Sequence, residues 1–355
     1  MRCLFLTLLL FPVVCLAQIN ITGKLIDAKS RQPVADASIF LSNATVGGKS
    51  GADGSFKLLN VRPGQYELVV TVLGYATYRQ NVLAGSDNMH LADIMLTAKT
   101  TELKEVKIQP HDNWLRNYKL FKDEFLGLSN NAKECRILNP DAVYLTYSSK
   151  YRTLTGSSDE FLEIENRALG YKIKYLINKF TRDYKEGYFY VEGSALFEPM
   201  AGDDGLQKRW RKNRAKVYEG SSMHFLRSIV TDQAEVNGFK VLRLIRKENP
   251  MYSGTGNNKY IQTLIDSPLQ SNEFAKLTDV RGLFALSFPN SLYIMYTKRK
   301  TKQPAIGVYH PDKIPNYEIT IVTVSENYGL FDTNGIILNP SGVTFEGEWG
   351  KNRVA

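Results

Sequence analysis

The chain carries four histidines, His90, His111, His224 and His310. A zinc carboxypeptidase needs two imidazoles and a carboxylate converging on the metal, and a further carboxylate to activate water. No histidine has a Glu three residues on; Asp93, Trp114, Arg227 and Lys313 stand at that offset. Each histidine reads as an ordinary surface or partly buried side chain. Glu163 and Glu165 share one face of a strand, which means either a wet strand face or a glycosidase-like pair of carboxylates. Asp203 and Asp204 are adjacent and suit helix capping better than opposed acid and base work. Cys135 and His224 could form a nucleophile pair only if the fold joined them. There is no Gly-x-Ser-x-Gly elbow. The Gly-rich stretch 249–259 has neither a P-loop lysine nor a dinucleotide fingerprint. No catalytic, cofactor-binding or metal-ligating residue is assigned, and no cofactor is implied.

The amino terminus sets the context for any activity. Arg2 precedes the apolar run Leu4–Val14, and Cys15-Leu16-Ala17 has small residues at both ends. That layout predicts a secretory signal peptide over residues 1–17. The run is too short to span a bilayer, which takes about 20 apolar residues. Val14 stands where a lipobox needs a small residue, so lipidation of Cys15 is disfavoured. Once the leader is removed, Cys135 is the only cysteine of the three, and no internal disulfide can form. An exported chain of this kind holds itself together by core burial, for which 355 residues with 43% hydrophobic content suffice. Residues 18–98 carry a net charge of +1 and residues 99–355 a net +7. Only the second part could find partners by charge.

Two-residue alternation dominates the first eighty residues of the mature chain. Tyr66, Leu68, Val70 and Val72 share one strand face and Glu67, Val69 and Thr71 the other. Ala37, Ile39 and Leu41 alternate likewise. Turn signals at Gly47-Gly48, Asp53-Gly54 and Pro63-Gly64 separate the runs, which predicts an antiparallel β-sandwich. Gly23-Lys24-Leu25-Ile26-Asp27, Pro33-Val34-Ala35-Asp36-Ala37-Ser38-Ile39, Asp53-Gly54-Ser55-Phe56, Val61-Arg62-Pro63-Gly64-Gln65-Tyr66 and Leu73-Gly74-Tyr75 follow in order. Together they resemble the carboxypeptidase regulatory-like domain. The resemblance implies a seven-stranded, transthyretin-like, Greek-key sandwich of the kind that precedes unrelated domains in exported and outer-membrane proteins of Gram-negative bacteria. It does not imply peptidase activity, because this module is not the catalytic part of a carboxypeptidase.

Residues 99–111 read as a linker, with strand character at Val106–Ile108, and residues 112–355 as a larger β-rich α+β domain with a few short helices. Asp112 is the expected cap of a helix that Trp114, Tyr118, Phe121 and Phe125 line with aromatics, at core spacing. Gly127 ends it, and Ser129 caps a short successor. Strands are expected at Val143–Tyr147, Phe161–Glu165, Tyr171–Ile177, Tyr188–Val191, Phe239–Ile245, Leu283–Phe288, Leu292–Tyr296, Tyr317–Val324, Gly335–Leu338 and Val343–Glu348. Turns are expected at Asn237-Gly238 and Asn334-Gly335. The segments Ile164–Ile173 and Tyr218–Arg227 resemble stretches that follow the regulatory-like module in a group of exported bacterial proteins, which implies a shared architecture and no particular activity.

Residues 204–218 predict the most polar helix. Leu206, Trp210 and Val217 share a face, and Lys208, Arg209, Arg211, Lys212, Arg214 and Lys216 cover the rest. Those six cations read as a solvated face or as contact with an anionic surface, an outer-membrane lipid or another envelope protein. Nucleic acid is a poor partner for an exported chain with no recognition module. A strand-crossing receptor barrel would need more lipid-facing strands than residues 112–355 can hold. The residues favour a non-enzymatic cell-envelope binding or structural protein, in the periplasm or at the outer membrane. The alternative is an exported hydrolase acting on glycans or peptides through the C-terminal domain. Export is expected to remove residues 1–17: amino-terminal sequencing of the mature protein should begin at Gln18, and a start at Met1 or at a lipidated Cys15 would refute the assignment.

Overall fold

The computed structural model describes residues 19–99, 111–127, 129–252, 259–302 and 308–351. The leader, the expected strand Val106–Ile108 and part of the Gly-rich stretch lie outside these residues. The protein is mainly β, with several sheets and few helices.

The amino-terminal module contains β1 (Ile19–Asp27), β2 (Ser38–Leu41), β3 (Gly47–Lys49), β4 (Ser55–Val61), β5 (Gly64–Thr71), β6 (Tyr78–Ala84), β7 (Met89–His90) and β8 (Ile94–Leu96). One sheet runs β4-β1-β7 with β8 also on β1; the other runs β3-β2-β5-β6. Alternate side chains from both sheets, including Ile21, Leu25, Ile39, Leu41, Leu68 and Val70, meet in one core with no solvent exposure. The Asp53-Gly54 turn joins the module as expected. Gly54 has φ +76°, and a Cβ there would strike the Leu25 carbonyl at 2.4 Å, so this position requires glycine.

Two features depart from an all-antiparallel seven-stranded sandwich. The last strand is split into β7 and β8, which share the β1 edge with one extra residue between their registers. Both pieces run parallel to β1, because residues 85–88 carry the chain across to the opposite sheet instead of doubling it back as a hairpin. Asn88 secures that crossing: its Oδ1 accepts the Asn20 N–H at 2.8 Å.

Next come α1 (His111–Leu126), α2 (Asn130–Lys133) and a six-stranded sheet of β9 (Cys135–Ile137), β10 (Val143–Ser148), β11 (Thr153–Ser158), β12 (Leu162–Asn166), β13 (Tyr171–Asp183) and β14 (Phe189–Pro199). α1 begins at His111, ahead of the expected Asp112 cap, and ends at Gly127, whose φ is +83°. Phe121 and Phe125 are fully buried and pack on Phe180 and Tyr175, with Tyr118 against the same core, while Trp114 is half-buried and stacks on Tyr118 at its edge. Ser129 caps α2 as expected, accepting the Ala132 N–H. The long β13 is the spine of this sheet, pairing with β11, β12 and β14.

The remaining residues form α3 (Asp204–Tyr218), α4 (Ser222–Val230), β15 (Phe239–Glu248), β16 (Tyr260–Ile265), β17 (Ala275–Leu277), β18 (Leu283–Leu286), β19 (Ser291–Lys300), β20 (Tyr317–Val324), β21 (Gly329–Asp332) and β22 (Val343–Gly347). A five-stranded sheet runs β16-β15-β19-β20-β22 and a three-stranded one β17-β18-β21. The larger sheet is buried on both faces: Leu292, Ile294 and Tyr296 enter one core, Tyr293 and Met295 another. Ser221 caps α4 by accepting the His224 N–H. Gly335–Leu338 is not a strand. Gly335 takes φ +75° and the chain turns over Asp332, whose backbone pairs with Ile336, leaving only an isolated bridge from Phe331 to Ile337.

A sequence repeat links the two larger sheets. Leu138-Asn139-Pro140 with Val143, and Leu338-Asn339-Pro340 with Val343, each open a strand through a short 3₁₀ turn. The Asn139 side chain donates to the Phe161 carbonyl at 2.8 Å and accepts the Glu163 N–H at 2.7 Å. Asn339 repeats the device, donating to Tyr328 at 3.1 Å and accepting from Leu330 at 2.6 Å. Each asparagine replaces a missing strand partner, so Asn139→Ala and Asn339→Ala should each cost about 1–3 kcal/mol, the price of an orphaned backbone donor. Denaturant unfolding of each variant checks this, and an unchanged midpoint would contradict it.

Candidate binding surfaces: the basic helix and a three-part cleft

Asp203 caps α3, its carboxylate accepting the Leu206 N–H at 2.8 Å. The helix packs on the turn between β12 and β13. Trp210 is 3% exposed and donates its indole N–H to the Arg167 carbonyl at 2.9 Å. Leu206 and Val217, expected on the same apolar face, are 38% and 44% exposed. Polar groups complete the packing instead. Asn213 donates to the Ala168 carbonyl at 2.8 Å. Arg214 donates to Leu169 at 2.7 Å and Gly170 at 3.0 Å, with its guanidinium 3.8 Å from the Tyr171 ring centroid.

The structure therefore divides the six cations. Arg214 faces inward, and Arg209 makes a two-pronged bridge to Glu134 at 2.7 and 2.9 Å. Lys208, Arg211, Lys212 and Lys216 are exposed, and among the described residues none has a carboxylate partner within ion-pair distance. At 3.6 residues per turn these four fall within about 140° of the helix circumference.

The other expected chemical pairs are not assembled. Glu163 and Glu165 lie opposite Lys174 and Lys172 across the strand pair, and Glu165 bridges Arg167 at 2.7 Å, which makes this a wet, charge-paired face. Cys135 is buried in the six-stranded sheet's core with its thiol against the Asn131 carbonyl, and burial pushes it up to about 11. His224 lies elsewhere, in an aromatic cluster with Tyr218, Phe239 and Tyr296, its Nδ1 accepting the Gly220 N–H. Burial lowers its proton affinity. Among the described residues no three His, Cys, Asp or Glu side chains are grouped to hold a metal. No helix among them is long and apolar enough to cross a membrane.

A feature that the sequence does not announce is a cleft of about 1210 Å³ where the module, the six-stranded sheet and the carboxy-terminal part meet. Its walls are joined by backbone and side chain. The Asn43 N–H donates to Ala195 at 2.7 Å and the Phe197 N–H to Ala44 at 3.0 Å, so the 42–46 turn pairs in parallel with β14. Beside this seam Phe40, Val69, Leu196 and Phe161 form an apolar plug. Across the cleft Ser194 Oγ donates to Glu67 at 3.0 Å, and Arg79 lies 3.7 Å from the same carboxylate. Arg79 also donates to Asn178, which sits at a bulge in β13; bulges re-aim side chains.

The third wall is the 332–336 turn. Asp332 is 3% exposed, and desolvation raises its carboxyl above the ordinary carboxylate range. Its oxygens accept the Ile336 N–H at 2.8 Å and the Asn334 amide at 3.3 Å. Asn334 also donates to the Gln65 carbonyl at 3.1 Å, tying this turn to the module, and Arg227 donates to the Asn334 carbonyl at 2.8 Å. Each carboxylate of the cleft thus has a partner: Glu67 as above, Asp332 within its turn, and Glu192 on the Tyr190 hydroxyl at 2.8 Å.

Comparison with known proteins agrees with the module's architecture. Residues 21–108 match the model of the CarboxypepD_reg-like domain, so the amino-terminal part is a domain of that kind. No curated protein matches the chain. Among solved structures, a chain of the Coh3ScaB–XDoc type II cohesin–X-dockerin complex from Acetivibrio cellulolyticus is 15% identical, with 22% of this chain and 58% of that one covered, at TM-score 0.21. The group B streptococcus pilus 2b backbone protein is 20% identical over 23% of this chain and 42% of that one, at TM-score 0.21. The shaft pilin SpaA from Lactobacillus rhamnosus GG is 14% identical over 23% and 46%, at TM-score 0.20. The chain spans less than two thirds of each of these neighbours, and at such scores none bears on function.

The division of the basic helix is open to test. Arg214→Ala should lower stability by about 2–3 kcal/mol, since hydrogen bonds to charged groups and a close ring contact are lost together. Lys212→Ala should leave the melting temperature unchanged. Equal effects from the two substitutions in thermal unfolding would contradict the assignment.

Proposed function

We propose that the protein is a non-enzymatic binding or structural protein of the cell envelope, exported to the periplasm or the outer membrane, that reaches an anionic lipid surface through the outward face of α3. The observation that supports this is the set of four exposed cations, Lys208, Arg211, Lys212 and Lys216, with no carboxylate partner among the described residues while Arg209 and Arg214 are engaged within the fold. Each exposed cation near an anionic surface contributes about 1 kcal/mol. Four give roughly 4 kcal/mol, an affinity near the millimolar range, which suits a salt-sensitive second anchor.

The hydrolase reading rests on Asp332, a buried carboxyl held more readily protonated at the edge of a cleft. Two facts weigh against it. Both Asp332 oxygens are engaged in closing their own turn, and Glu67 and Glu192 are each engaged by a neighbouring hydroxyl. Acid–base work on a glycosidic bond needs two carboxyl groups flanking the substrate, available to the leaving group and to water.

Co-sedimentation with vesicles of phosphatidylglycerol and phosphatidylethanolamine tests the proposal. The mature protein should bind these vesicles at low salt, release as salt rises, and ignore pure phosphatidylcholine. Reversing Lys208, Arg211, Lys212 and Lys216 to Glu should abolish binding with little change in melting temperature. Equal binding by the variant, or none by the wild type, would remove the surface-contact role from α3.

A further inference from the structure

We infer that the three-part cleft is a binding site for a neutral oligosaccharide. This rests on the binding reading above but uses none of the α3 residues, so vesicle and oligosaccharide results can fail separately.

The size and charge of the cleft limit what fits. Pockets for small molecules run to about 300–1,000 Å³, and this cleft of about 1210 Å³ exceeds that range, so it has room for several linked units. The arginines Arg62, Arg79 and Arg227 are matched by Glu67, Glu192 and Asp332. Arg79 is spent on Glu67 and Asn178, and Arg227 lies on the Asn334 carbonyl and over the Tyr218 ring. The lining therefore has little net field to attract an ion of either sign.

The chemistry of the lining points to hydroxyl groups. Small-molecule pockets are lined mainly by apolar side chains with a few polar ones; here seven amide side chains and four tyrosines stand beside eight other apolar residues. Tyr66, Tyr171 and Tyr190 line the walls partly exposed; Arg214 lies over one face of Tyr171 and Tyr188 stacks beside Tyr190, so Tyr66 is the ring left to meet the C–H surface of a sugar. On the module wall Asn43, Asn60 and Asn81 are exposed, and their side chains have no hydrogen-bond partner among the described residues. An asparagine amide offers two donors and an acceptor, which matches adjacent sugar hydroxyls that each donate and accept. Asn43 and Asn60 sit at φ +58°, a backbone state that asparagine tolerates. Asn81 has no such reason: it lies within β6, where asparagine is disfavoured, and its side chain projects into the cleft lining. An extended peptide would seek apolar pockets for its side chains, and its binding is one outcome of the test below.

Titration calorimetry with cellohexaose, maltohexaose, xylohexaose and mannohexaose as neutral probes tests the inference. Tri-galacturonate and a Gly-Ser-Ala hexapeptide serve as acidic and peptide comparators. At least one neutral hexasaccharide should bind, and its trisaccharide should bind more weakly. Asn81→Ala combined with Arg62→Ala should reduce that affinity about tenfold or more, the range expected from losing two or three hydrogen bonds. The melting temperature should hold, because neither exposed side chain supports the fold. No binding by any of the four hexasaccharides, tighter binding of either comparator, or undiminished affinity in the double variant would overturn it.

Discussion

The protein depends on one short seam, the pairing of the 42–46 turn with β14. Two backbone hydrogen bonds cross it, from Asn43 to Ala195 and from Phe197 to Ala44. Sandwich modules of this kind ordinarily present one sheet face to water. Here the outer face of the β3-β2-β5-β6 sheet carries Phe40 and Val69, both with no exposure, and they are covered by Leu196 and Phe161. The Phe40 and Phe161 rings meet edge to face at 5.4 Å. Burying two large apolar side chains contributes about 3–6 kcal/mol, enough to hold two folded parts in one arrangement where the backbone bonds alone would not.

From that seam follows everything polar that lies between the parts. The plug fixes the module's wet residues, Glu67 and Arg79, against Ser194 and Asn178, and it brings the Gln65 carbonyl to Asn334. These contacts are individually weak, as partly exposed pairs are, and their role is to set the spacing of the walls. The cleft is thus a consequence of docking, built from residues distant in sequence, and its carboxylates serve the junction before any ligand.

How much of this could be read from the sequence differs by region. In the module the two-residue period and the turn glycines led to the right core, because Leu68, Val70, Ile39 and Leu41 make local, repetitive choices. The parallel β7 and β8 were not legible, since two- and three-residue strands carry no period and their direction is set by a crossing of the sandwich. Phe40 and Val69 did carry a signal: apolar residues on a face otherwise occupied by Glu67 and Arg79 mark a covered surface. On α3, Asn213 and Arg214 fall on the Trp210 face by helical spacing, so the inward arginine could have been found from its position, although not the carbonyls of 169 and 170 that it binds. The repeated Leu-Asn-Pro motif was visible in the letters alone, but its meaning, an amide standing in for a strand, required the geometry. The division of residues 112–351 into several sheets with separate cores left no mark in composition, because all of them use the same kind of strands.

Hydrogen–deuterium exchange of the mature protein, read at the Asn43 and Phe197 amides, tests the central claim most directly. These two N–H groups are bonded only across the seam. A docked module predicts protection comparable to that of the Val69 and Val70 amides within β5, because opening either bond requires withdrawing Phe40 from its plug. Exchange of both amides at the rate of an unstructured chain, with β5 still protected, would mean that the module is not held against the rest, and the cleft would lose its walls.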